Sequence, residues 1–302
     1  MRLEIRDIKK SFDDKEILHG VTFHVESGRA MGFLGRNGAG KTTTIRCLMD
    51  VFKADSGQFL LDGRPFRARD YAIGYLPEER GLYAKEQLVH QLVYFGQLRG
   101  MDRTTARASA RYWLGRVDLS EYENKKLEIL SKGNQQKVQI IQALIHDPDI
   151  IILDEPFSGL DPVNSQVLKD IVREKIAQNK LVIFCSHQMG YVEEFCDDIA
   201  LIEQGKMILQ GDLTKIKRRH GQGKYHLVSN TPDYLLPELG ATIVSRQKDG
   251  LIIQLAPELT KSQFLQRLLD QSSDIQSFAE YQPSLTQVFI HQVGESNGGQ
   301  DE

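Results

Sequence analysis

Nine residues constrain this chain more than any others. Gly35 to Thr43 read G-R-N-G-A-G-K-T-T and directly follow the apolar run Ala30 to Leu34. The spacing of Gly35, four residues, then Gly40, Lys41 and Thr42 is that of a phosphate-binding P-loop set between a buried strand and a helix. Gly35, Gly38 and Gly40 tolerate positive φ and carry no side chain, so the backbone N–H groups of this loop, from Gly35 through Asn37, Ala39 and Thr43, can close around phosphate oxygens. Lys41 then neutralises charge on the β- and γ-phosphates, and Thr42 offers a hydroxyl to Mg²⁺. The helix that begins near Lys41 points its positive end at the nucleotide. A turn that is merely rich in glycine lacks this setting, in which the helix-like segment Thr42 to Val51 continues from the strand and loop. The pattern predicts a nucleoside triphosphate as ligand.

A second constellation lies far downstream. Ile150, Ile151, Ile152 and Leu153 form an uninterrupted apolar run, as a parallel strand covered on both faces requires, and Asp154 and Glu155 sit at its end. Ligands of open α/β sheets lie beyond the carboxyl ends of the strands, where these two acids would be. Asp154 is placed to hold the magnesium shell and Glu155 to polarise an attacking water. Two adjacent acids after a strand also suit a solvated turn; the continuation Pro156, Phe157, Ser158, Gly159, Leu160, Asp161, Pro162 narrows the reading.

The run L-D-E-P-F-S-G-L-D-P, with the P-loop and the segment L-S-K-G-N-Q-Q-K-V from Leu130 to Val138, resembles the ATP-binding subunit of an ABC transporter over residues 1–218. The resemblance implies ATP and Mg²⁺ as cofactors. It makes Asp154 the magnesium ligand after the second strand, Glu155 the general base and Ser158 to Asp161 a loop that communicates across a nucleotide-sandwich dimer. His187, in C-S-H-Q after the strand-like Leu181 to Phe184, becomes the switch histidine that contacts the γ-phosphate. Ser131 and Gly133 would supply a hydroxyl and a backbone N–H at a helix start, aimed at the γ-phosphate held by a second nucleotide-binding subunit. Phe12 occupies the place of an aromatic that stacks on adenine, although a buried strand-end phenylalanine would read the same way.

Three departures stand out. Lys132 replaces the commonest glycine and Asn134 the commonest glutamine of the signature segment, and neither change removes a contacting group. In G-Y-L-P-E-E, Glu78 stands where the family places glutamine after the proline, which adds negative charge near the phosphates while keeping an oxygen that can reach Mg²⁺. The longer form G-Y-L-P-E-E-R-G-L-Y resembles type-2 exporters, including sodium-efflux and multidrug-type subunits. The helical pattern between residues 80 and 147 matches the family's helical subdomain. A membrane partner's coupling helix is expected between that subdomain and the core, near Glu78 to Tyr83.

The expected fold class is α/β: a P-loop ABC ATPase core with an antiparallel β subdomain, signalled by Val21, Phe23 and Val25, and a helical subdomain. After Gly211, Lys215, Lys217, Arg218, Arg219 and His220 make a basic linker, read either as a solvated helix end or as a contact for acidic lipid heads. Residues 219–294 read β-α-β-β-α-β with a last helix, which predicts a small ferredoxin-like α+β domain; residues 295–302 read as a disordered polar tail.

Composition limits the remaining choices. A net charge of −3 gives no case for nucleic acid, and the N-terminus M-R-L-E-I-R-D is no signal peptide. No apolar run approaches the ~18 residues of a membrane span, so a membrane-spanning permease is expected as a separate chain. Cys47, Cys185 and Cys196 lack metal spacing and suit a reduced compartment. The expectation is an ATP-hydrolysing subunit on the cytoplasmic face of the cell membrane, paired with a second such subunit and powering export of an unidentified substrate. The alternative is a soluble ABC ATPase that remodels a cytosolic assembly.

Overall fold

The computed structural model describes residues 1–13, 15–79, 81–271 and 274–298, with side chains up to residue 292. It divides into two units, at Asp212 and Leu213.

In the first unit β1 (Arg2–Phe12) and β2 (Lys15–Glu26) pair antiparallel, with Leu3 opposite Val25 and Ile5 opposite Phe23. Alternation sets the two faces: Val21, Phe23 and Val25 are buried while Thr22, His24 and Glu26 are exposed. After β3 (Ala30–Leu34) and α1 (Lys41–Leu48) come β4 (Ser56–Leu61) and the short β5 (Arg64–Pro65), which complete a sheet of order β2-β1-β4-β5. The rest of the unit runs β6 (Ile73–Leu76), α2 (Leu88–Leu98), α3 (Arg103–Arg116), α4 (Lys132–Leu144), β7 (Ile150–Asp154), α5 (Pro162–Ala177), β8 (Leu181–Ser186), α6 (Met189–Phe195), β9 (Asp198–Glu203) and β10 (Lys206–Asp212).

The second sheet has the order β10-β9-β3-β8-β7-β6. Its strands are parallel from β9 to β6, and β10 runs antiparallel on the β9 edge. Every residue of β3, β7 and β8 is buried, which is why these strands appear in the sequence as unbroken apolar runs rather than alternations. Phe23 stacks on Phe33 at 4.7 Å and joins the two sheets in one core. Helices α2, α3 and α4 form the insertion between β6 and β7. Asp102 caps α3 by accepting from the backbone N–H groups of Thr104 and Thr105, and Ala106, Ala110 and Trp113 supply its buried face.

The second unit holds α7 (Leu213–Gly221), β11 (Lys224–Ser229), β12 (Ala241–Gln247), β13 (Gly250–Leu255), α8 (Lys261–Asp270), β14 (Ile275–Glu280) and α9 (Leu285–Gly298). The strands form one antiparallel sheet, β12-β13-β11-β14, the split arrangement of a ferredoxin-like domain. Phe264 and Leu268 of α8 pack into its core with Leu227 and Ile253.

Two expectations change here, and a third holds. The boundary lies at Leu213 rather than after residue 218, because residue 218 falls inside α7, a single hydrogen-bonded element that packs on α9. The first crossover is the short helical turn that the sequence predicts, a 3₁₀ turn at Asp233–Leu235 stopped by Pro237. Helix α9 continues to Gly298, so the first part of the expected tail is helical; residues 299–302 lie outside the described residues. Among the described residues no helix is long and apolar enough to cross a membrane.

Candidate functional site

Four adjacent parallel strands, β3, β8, β7 and β6, end on the same edge of the sheet. Their carboxyl ends lead into the P-loop, Ser186 and His187, Asp154 and Glu155, and Glu78. Parallel pairing therefore gathers residues more than 140 positions apart in sequence.

A cavity of about 310 Å³ opens at this edge, lined by Asn37, Gly38, Gly40, Lys41, Thr42, Thr43, Glu78, Asp154 and Glu155. Gly38 and Gly40 adopt φ of 80° and 111°, the left-handed region that the loop reading requires. Lys41 is buried and its Nζ donates to the carbonyl oxygens of Gly35 at 2.7 Å and Arg36 at 3.2 Å, which holds the ammonium inside the loop. Gly35 and Ala39 stand behind the loop rather than on the cavity wall. A Cβ at Gly35 would lie 2.4 Å from the carbonyl oxygen of Ile202, and Ala39 is 5 % exposed.

Thr42 Oγ1 donates to Asp154 Oδ2 at 3.2 Å. Burial pushes the Asp154 carboxyl up to about 6; the negative charges of Glu78 and Glu155 add to this, against the Thr42 hydrogen bond and the charge of Lys41. A carboxylate raised by burial and by nearby negative charge is stabilised in its charged form by a cation. Asp154 and Glu78, with the Thr42 hydroxyl, present only oxygen donors to this cavity, which fits Mg²⁺. Among the described residues no three histidine, cysteine, aspartate or glutamate side chains converge into a metal cage.

Glu155 is 6 % exposed, with φ +49°, an uncommon conformation for a residue with a side chain. Three groups hold its carboxylate: Ser186 Oγ donates to Oε2 at 2.9 Å, the His187 backbone N–H donates to Oε1 at 2.8 Å, and His187 Nδ1 lies 2.6 Å from Oε1. Glu155 and His187 are thus one hydrogen-bonded unit, with the His187 side chain still 43 % exposed. Sequence reasoning missed Ser186; its place at the end of a buried strand, beside His187, was the available signal.

The other predicted residues lie elsewhere. Ser131 caps α4, its Oγ accepting from the Asn134 N–H at 3.3 Å, and Asp161 caps α5 by accepting from the Asn164 N–H at 2.9 Å. A Cβ at Gly133 would lie 3.3 Å from Asn164 Nδ2, so the starts of α4 and α5 meet, and none of these residues lines the P-loop cavity. Gln136 Nε2 donates to the Pro156 carbonyl at 3.2 Å and ties α4 to the segment after Glu155; this link too was missed. Phe12 is 38 % exposed at the end of β1, edge-on to Phe52 at 5.1 Å, with Lys10 Nζ 5.3 Å from its ring centre. It is neither a buried strand-end residue nor part of the cavity wall.

Comparison with known proteins agrees with this geometry. Residues 18–158 match the ABC transporter family, and residues 211–293 match the C-terminal domain of DrrA1-3-like ATP-binding proteins. The ABC transporter ATP-binding protein YhaQ of Bacillus subtilis is 40 % identical over 294 residues, 97 % of this chain and 98 % of the relative. The ABC transporter ATP-binding protein NatA of the same organism is 33 % identical over 223 residues, 71 % of this chain and 91 % of that protein. A solved structure of an ATP-binding subunit of an ABC transporter superposes with a TM-score of 0.67 at 28 % identity, covering 73 % of this chain and 94 % of the other. With its P-loop, its Asp154–Glu155 pair and a relative that matches it along nearly its whole length, the chain belongs to the ABC transporter ATP-binding proteins.

Proposed function

We propose that this chain is the ATP-hydrolysing subunit of an exporter, that two nucleotide-binding subunits build each site together, and that a separate membrane-spanning permease is driven from the cytoplasmic face. One observation carries the reading: the chain keeps its site residues in two sets. The P-loop, Glu78, Asp154, Glu155 and His187 stand at one sheet edge, while Ser131, Gly133 and Asp161 cluster at the starts of α4 and α5, outside the cavity. A second copy bringing its own Ser131 and Gly133 to the open side of the P-loop would complete the set.

Lys41 and the loop amides bind the phosphates, and Phe12 is available to stack on the base. Thr42 and Asp154, with Glu78, would hold Mg²⁺, which supplies charge neutralisation at the phosphate oxygens when bound. Glu155 takes the proton from the attacking water. Ser186 and His187 keep its carboxylate oriented, and the partly exposed His187 ring would exchange its Glu155 contact for the γ-phosphate. Tyr83 is 54 % exposed and stacks on Phe95 at 6.2 Å, offering an aromatic surface near Glu78 for a partner's coupling helix. Relatives named for Nod factor export and linearmycin resistance support the exporter direction.

Isolating the tagged chain from detergent-solubilised membranes tests the proposal. A multi-span membrane protein should co-purify in stoichiometric amount and change the ATPase rate. Recovery only with ribosomes or another soluble assembly would replace the exporter with the remodelling ATPase.

A further inference from the structure

The second unit contains a cavity of about 340 Å³ that no step of ATP hydrolysis uses. Ile252 and Val288, each 1 % exposed, give it an apolar floor, and Arg219, His220, Lys224 and His291 stand around it. The His220 and His291 rings lie 5.9 Å apart. The wall is a built feature: a Cβ at Gly221 would fall 2.0 Å from the Tyr281 carbonyl oxygen, so the end of α7 is seated against the chain leaving β14 in a way that glycine permits.

The charge is concentrated here more than local structure demands. Arg218, Arg219 and His220 complete the last turn of α7, where cations complement the negative end of the helix. Lys224 and His291 come from β11 and α9, and the helix terminus does not explain why they face the same cavity. Elsewhere in the unit Lys261 is paired with Glu280 and Arg246 with Asp233. Arg219 and Lys224 have no carboxylate partner among the described residues, and none of the described residues lining the cavity is acidic.

We propose that this cavity receives the phosphate of an anionic phospholipid, with Arg219 and Lys224 on the phosphate oxygens and the apolar root of the lipid against Val244, which is 46 % exposed. The exposed Val244 side chain separates this ligand from a free inorganic phosphate, which would leave that apolar surface in water. The remaining cations of α7 add attraction toward an acidic membrane surface. The second unit then serves as a membrane contact of its own, whichever permease the first unit drives.

Co-sedimentation of the full chain with vesicles, at fixed ionic strength, tests this. Vesicles of phosphatidylglycerol in phosphatidylcholine should bind the chain and pure phosphatidylcholine should not. Each basic residue at an acidic surface is worth roughly fivefold, so Arg219→Gln with Lys224→Gln should weaken binding roughly thirtyfold. Lys248→Gln, an exposed charge outside the cavity, should change binding less than about twofold. Val244→Asp sets a carboxylate in the cavity from a partly exposed position and should abolish binding, which keeps the test open should the double variant melt early. Equal weakening by Lys248→Gln and Arg219→Gln would overturn the proposal. So would equal binding to phosphatidylcholine, or capture of soluble glycerol phosphate through Arg219 and Lys224 without vesicle binding.

Discussion

Replacing Glu155 with glutamine removes the proposed base and changes little else. The amide oxygen can take the place of Oε1, accepting from the His187 backbone N–H as the carboxylate does at 2.8 Å. The new NH₂ group then faces Ser186 Oγ, which already accepts from the Gln188 N–H at 3.0 Å and must turn its own proton elsewhere. Exchanging charge-assisted hydrogen bonds for neutral ones costs about 1 kcal/mol of stability, which leaves the fold and the phosphate loop in place. Loss of a positioned base slows chemistry by roughly 10²–10⁴-fold, or about 3–5 kcal/mol on the barrier. Steady-state phosphate release should fall by that factor, while the Kd for ATP stays within about twofold. Turnover within about threefold of the parent would place the base elsewhere, and equal losses in binding and turnover would make Glu155 a structural residue.

Lys41→Ala leaves the phosphates without their buried cation and should weaken ATP binding by about 10–100-fold in a nucleotide titration; full affinity would contradict the loop assignment. Glu78→Gln should keep ATP binding and shift the Mg²⁺ dependence of hydrolysis, and superimposable Mg²⁺ curves would remove Glu78 from the metal's surroundings. The Asp147 carboxyl is held below its ordinary 3.8, first by the Lys175 hydrogen bond and then by the charges of Lys175 and Lys180, against partial burial. A folded-state value below the unfolded one gives stability that is complete above about pH 4 and is lost as pH falls through the folded value. Asp147→Asn should therefore narrow its deficit to the parent as urea melts move below about pH 4; a deficit constant with pH would show that the ion pair is not linked to folding. Phe264→Ala empties a fully buried site of the second unit and should cost about 3–5 kcal/mol, read as early loss of amide protection in β11 and β13, with the first unit's strands unchanged.

Elements buried on every side were the easiest to read from the sequence. The strands β3, β7 and β8 announce themselves as apolar runs because both faces are covered, and the loop after β3 has a spacing that few backbones other than a phosphate cradle need. What stayed hidden depends on neighbours in space. That β8 lies between β3 and β7, and so delivers Ser186 to Glu155, is set by sheet order rather than by any local pattern. The Gln136 link to Pro156 is hidden for the same reason. Helix α7 reads as a linker because cations outnumber its two apolar residues, Leu213 and Ile216, yet both are buried. Phe12 shows the opposite limit: its position in the sequence suggests a role, but its neighbours, Phe52 and Lys10, were not predictable from the strand that carries it.

A mixing experiment with two inactive proteins asks whether each site is shared between copies. Lys41→Ala disables the phosphate loop of its own chain, and Ser131→Arg disables the helix start that its own chain lends to the partner. In a symmetric dimer the mixed species keeps one composite site free of both lesions. Random exchange makes half the dimers mixed, with one of two sites intact, so an equimolar mixture should recover about a quarter of parental ATPase activity if the sites act independently. Recovery near that value from two inactive components supports hydrolysis across the dimer, and absence of activity in a mixture whose mixed dimers are demonstrated by mass would contradict it.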